Sequence, residues 1–107
     1  MAVRELKHGL IPARRELRMI EELTEEINAP TIKPSKLSPK IFRDSISMPG
    51  KVDYFVVWDD FKLLPQDVRT RIIYHALEEA KGPRETSRIS IVMGLTRDEA
   101  RQLEIET

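Results

Sequence analysis

Two adjacent carboxylates, Asp59 and Asp60, close the most strand-like run of the chain, where many α/β folds place acids for metal binding or proton transfer. Adjacent acids ahead of a helix also solvate a turn and complement the helix N-terminus, and no second acidic cluster at ligand spacing supports a metal. A structural role for the pair is therefore the expectation. His8 and His75 are far apart, and neither has a Cys, Asp or Ser neighbour in a nucleophile or metal-ligand pattern; four residues after His75, Glu79 is a helical neighbour that accounts for it structurally. The chain has no cysteine, which removes thiol nucleophiles, disulfides and thiolate metal sites together. Gly9, Gly50, Gly82 and Gly94 are isolated from one another, so no glycine-rich loop opens a helix to cradle phosphate. With each catalytic pattern missing, the sequence points to a non-catalytic binding or regulatory module without metal or cofactor.

The partner must then be sought in charge and surface. Lys plus Arg and Asp plus Glu number 18 each, so the formal net charge is zero and any cationic site has to be local. One local excess exists. No acid occurs from Ile27 through Arg43, while Lys33, Lys36, Lys40 and Arg43 do, and Arg69 and Arg71 follow on a later helix. These six are the candidate partner contacts, with two readings open: docking of a protein partner or a second copy, or nucleic-acid binding through phosphate contacts. The N-terminus mixes Arg4, Glu5, Lys7 and His8 among its apolar residues, and no window approaches the roughly 20 apolar residues of a membrane span. A cytoplasmic protein without membrane contact is expected.

The elements that position these residues follow from periodicity and punctuation. Residues 1–12 lack a period and end in Ile11-Pro12, which reads as a flexible arm ahead of a single domain over 13–107. From Ala13 to Asn28, Leu17, Ile20, Leu23 and Ile27 recur at helical spacing. Cations come early in this helix and anions late, against the macrodipole preference, so packing has to hold it. Pro30, Pro34 and Pro39 punctuate an extended stretch leading to a short strand over Ile41 to Ser47, with Phe42, Asp44 and Ile46 on one side. Met48-Pro49-Gly50-Lys51 turns the chain into Val52 to Trp58, a central strand by its β-branched and aromatic content. A second helix opens at Pro65, runs along Val68, Ile72, Ile73, Ala76, Leu77 and Ala80, and ends at Gly82-Pro83. After a loop to Ser87, Ile89, Ile91 and Met93 alternate in a strand that Gly94 is expected to stop. Thr96 and Glu99 form a capping-box pattern for a last helix with Ala100 and Leu103 inward. The fold expected is α+β: helix, two strands, helix, strand, helix, a small mixed sheet with helices packed on one face.

The stretch Phe61-Lys62-Leu63-Leu64-Pro65, then Arg69-Thr70-Arg71-Ile72-Ile73 and Ala76-Leu77-Glu78-Glu79, together with Arg88-Ile89-Ser90-Ile91 and Leu95-Thr96-Arg97-Asp98-Glu99-Ala100, resembles the BolA-like family. That family is related in topology to the type II KH fold, and the resemblance covers roughly residues 16–100. It implies a KH-like surface around the second helix that meets a protein or nucleic acid. The departures fall on the family's chemistry: Leu63 stands where glycine is usual, Thr70 replaces the histidine between the arginines, and Ser87 replaces the strand histidine that shares an iron–sulfur cluster with a monothiol glutaredoxin. The resemblance therefore implies no metal role here. Gly82-Pro83-Arg84-Glu85 likewise lacks the second glycine of a KH backbone-clamping loop.

Overall fold

The computed structural model describes residues 11–29, 38–45 and 48–105. Along them run α1 (Ala13–Asn28), β1 (Lys40–Asp44), β2 (Val52–Val57), a 3-10 turn (Asp59–Phe61), α2 (Gln66–Lys81), α3 (Pro83–Thr86), β3 (Ile89–Leu95) and α4 (Arg97–Gln102). The element order is the expected α+β one, with one extra turn of helix; the helices do not all pack on one face as expected, since α4 lies against Val57 and Leu95 on the face opposite α1 and α2. Gly82 ends α2 with φ +85°, its N–H donating to the Glu78 carbonyl, and Pro83 at the first position of α3 restarts the chain helically where a loop was expected. Of the arm over 1–12, residues 1–10 lie outside the described part, and Ile11 packs against the core.

The sheet has three strands in the order β1-β2-β3, β1 antiparallel and β3 parallel to β2. Strand alternation sorts β2 cleanly: Val52, Tyr54 and Val56 face α1 and α2, where Met19, Leu23, Val68, Ile72 and Leu77 complete the main core. The opposite face carries Asp53, Phe55 and Val57, and among the described residues its far end is closed by Ala100 of α4 and Ile105 against Val57 and Leu95, with Phe42 and Met93 packed beside them. Thr96 and Glu99 form the anticipated capping box at α4. With six residues, that helix stops before Leu103, which is 56% exposed instead of inward.

β1 ends at Asp44, shorter than the strand expected to Ser47; Ile46 and Ser47 lie outside the described residues. β3, in contrast, is longer than expected. It continues through Gly94 to Leu95, because Gly94 acts there as a spacer between strand and helix.

Candidate partner-binding surfaces

The four cationic candidates that are described do not share a surface: Lys40 begins β1 opposite Val57, on the sheet face that also carries Phe42, while Arg43, Arg69 and Arg71 are each tied to a glutamate. Lys33 and Lys36 lie outside the described residues. Arg69, expected as a surface contact, is buried at 6% exposure. Its Nε donates to the Leu64 carbonyl at 2.8 Å, and its Nη1 to the Gly94 carbonyl at 2.9 Å and Glu99 Oε1 at 2.6 Å. An arginine so enclosed ties α2 to β3 and α4 and is withdrawn from any partner. Arg71 forks onto Glu16 of α1 at 2.8 and 2.9 Å, and Glu16 is held below the usual carboxylate range by that guanidinium. Both arginines of α2 thus serve packing between elements.

Arg43 belongs to a third such cluster. Its Nε donates to Glu85 Oε2 at 2.7 Å and to the Tyr54 hydroxyl at 3.1 Å, while Tyr54 donates to Glu85, joining β1, β2 and α3. The guanidinium and the phenol together pull Glu85 down to about 2, and burial, then Glu85, pushes Tyr54 up to about 12. A carboxylate whose folded pKa is depressed contributes stability that is complete above its unfolded value and lost as pH falls toward the folded one. Unfolding free energy is therefore expected to drop between about pH 5 and pH 2 by roughly 2 kcal/mol from this cluster, after allowing for solvent screening of the half-exposed Arg43. The raised phenol has the opposite sign and removes stability as pH climbs from 10 to about 12. Urea titrations across pH check this: Glu85→Gln should flatten the acid limb, and an unchanged limb would show that the cluster does not set it.

Asp59 takes the structural role expected of the acidic pair, its Oδ1 accepting the Arg97 backbone N–H at 2.9 Å and so joining the end of β2 to the start of α4. The Asp60 carbonyl accepts from Arg15 of α1 at 3.3 Å. His75 is exposed on α2, and no group of three or more His, Cys, Asp or Glu among the described residues has metal-binding geometry.

Two other surface features stand out. The first is Leu63, whose φ is +70° and whose side chain is 90% exposed. The left-handed region costs a β-carbon-bearing residue about 1 kcal/mol and favours glycine. Leu63→Gly is accordingly expected to raise stability by roughly 0.5–1 kcal/mol in urea unfolding, since no packing is lost; a destabilised variant would refute the strain. No protein-family model, curated protein or solved structure matches this chain. Any function has to be argued from the surface itself.

The second feature is the uncovered part of the sheet. Register places Phe42 directly opposite Phe55, and Phe55 beside Met93, on the face away from α1 and α2. Ile91, next to Asp53 in β3, is 45% exposed on the same face. Asp44 and Asp53 sit opposite one another at one end of this apolar tract. The outer edge of β3 is engaged at Gly94, which donates to Gln66 Oε1 at 3.0 Å and accepts from Arg69. Strand addition is blunted at that residue. This apolar tract was not among the residues singled out from sequence; the alternation of β2 and β3 carries it, and the shortness of α4 leaves it open.

Proposed function

We propose that the chain is a non-catalytic docking module whose protein partner seats on the open face of the sheet, presenting apolar groups to Ile91 and Phe55 and a cation to Asp53. The observation that carries this reading is the pairing of exposed Ile91 and half-buried Phe55 with the Asp53 carboxylate on the face away from α1 and α2. Nucleic acid is the weaker reading, because Arg43, Arg69 and Arg71 are engaged with glutamates. A diverged BolA-like ancestry is part of the proposal. Its support is the element order and the left-handed backbone of Leu63, at the position where that family carries glycine.

The test compares wild type with Ile91→Glu and Phe55→Ser as baits, each verified as folded. A partner retained by wild type, lost by both variants, and protecting β2 and β3 amides from hydrogen exchange in the purified complex is the expected result. Retention by the variants, or binding of mixed-sequence RNA that weakens steeply with salt, would sink it.

A further inference from the structure

α1 is built against its own electrostatics. Its exposed line carries Arg14 and Arg18 in the first half and Glu21 and Glu25 in the second, so that like charges stand four apart in each half and the helix ends have the wrong sign for the macrodipole. None of these four side chains makes an ion pair among the described residues, in contrast to Arg43, Arg69 and Arg71. Beside them Leu17 is 56% exposed, at the rim of a groove of about 520 Å³ between α1 and α2 that Glu78 and Glu79 also line. Within the helix only Arg18 has opposite charges at neighbour spacing, Glu21 and Glu22, and among the described residues no ion pair answers the four charges.

We infer that α1 is a self-association surface, pairing antiparallel with α1 of a second copy. A two-fold axis midway between Arg18 and Glu21 sets Arg14 against Glu25 of the second copy and Arg18 against its Glu21, and symmetry doubles both pairs. The equal four-residue spacing in the two halves makes this register self-complementary, whereas a parallel arrangement opposes like charges along the whole helix. Antiparallel pairing also places each helix's unfavourable end beside the reversed dipole of the other, and brings Leu17 of each copy toward the seam. Glu78 and Glu79 extend the acidic side of the groove toward the incoming arginines. The surface is small and its ion pairs are individually weak, so the association is concentration-dependent and salt-sensitive. It is distinct from the open sheet face and stands whether or not that face docks a partner.

Sedimentation equilibrium of the full chain decides the matter. At about 0.02 M salt the mass should approach twice 12.4 kDa with rising concentration, and at about 0.5 M salt it should return to one chain. The double variants Arg14→Glu/Arg18→Glu and Glu21→Arg/Glu25→Arg, all at exposed positions, should each stay folded by circular dichroism and remain single chains at low salt. Mixing the two in equal amounts should restore a particle of two chains. A wild type that stays a single chain at low salt overturns the proposal, as does a mixture that fails to associate. Association that survives both charge reversals but is abolished by Ile91→Glu overturns it too and assigns the contact to the sheet.

Discussion

Arg69→Ala is expected to cost about 3 kcal/mol of folding free energy, the largest loss for any charged side chain in this domain. The truncation strands the carbonyls of Leu64 and Gly94, both of which accept from the guanidinium, and it removes the partner of Glu99. It also empties space beside Phe61, over whose ring the guanidinium carbon sits 5.8 Å from the centroid. Glu99 is 44% exposed, so water takes over part of its charge; the stranded carbonyls and the void carry most of the loss. Glu99 also holds the Thr96 N–H in the capping box, so the effect should extend to faster exchange of α4 amides. Arg69→Lys places a single cation where a fork is needed and should lose more than half as much. Urea unfolding with an unchanged m-value checks both, and a loss for Arg69→Ala below about 1 kcal/mol would show that these bonds contribute little to the fold.

That arginine also marks where local sequence stops being informative. Arg69 is expected as a surface contact from the sequence, although it follows Val68 and precedes Ile72 and Ile73 by three and four residues and so lies beside the buried stripe of α2. A charged residue at such a position has to find acceptors, yet the acceptors come from residues five, 25 and 30 positions away, and no local pattern names them. β2 and α2 were readable for the converse reason. Alternation in Val52 to Trp58, and Pro65 and Gly82 bracketing an apolar helical period, are set by neighbours along the chain. The open face required two facts of different kinds. The alternation of β2 and β3 divides their side chains between two faces, but only the short reach of α4 decides which of the two stays uncovered. The same limit applies to α1: its charge order was evident, while the exposure of the line from Arg14 to Glu25 depends on where α2 packs.

Gly94 turns the same comparison into the second large prediction. It lies on β3 without a left-handed backbone, so conformational freedom is not what requires glycine there. A β-carbon at this position would stand 2.8 Å from Cβ of Arg69, 2.9 Å from Cε2 of Phe61 and 3.2 Å from Cδ1 of Ile73. None of these yields easily. Phe61 and Ile73 are at 0% exposure, and Cβ of Arg69 is fixed by the α2 backbone. β3 is equally constrained, hydrogen-bonded to β2 on one edge and held at Gly94 by Gln66 and Arg69 on the other. Relief requires strand and helix to move apart by several tenths of an ångström, which stretches those bonds. Gly94→Ala is thus expected to cost about 2–3 kcal/mol, and Gly94→Val to prevent stable folding. For a domain of this size the alanine variant should melt at least 10 °C below wild type. Gly50 supplies the control. With φ +76° and nothing within 4 Å of an added β-carbon, Gly50→Ala carries backbone strain alone, about 1 kcal/mol. If the two alanine variants melted together, Gly94 would not be a spacer. A smaller residue at Phe61 offers a further check: Phe61→Leu has its own cavity cost, but combined with Gly94→Ala the total should fall short of the sum of the two, because one mutation makes room for the other.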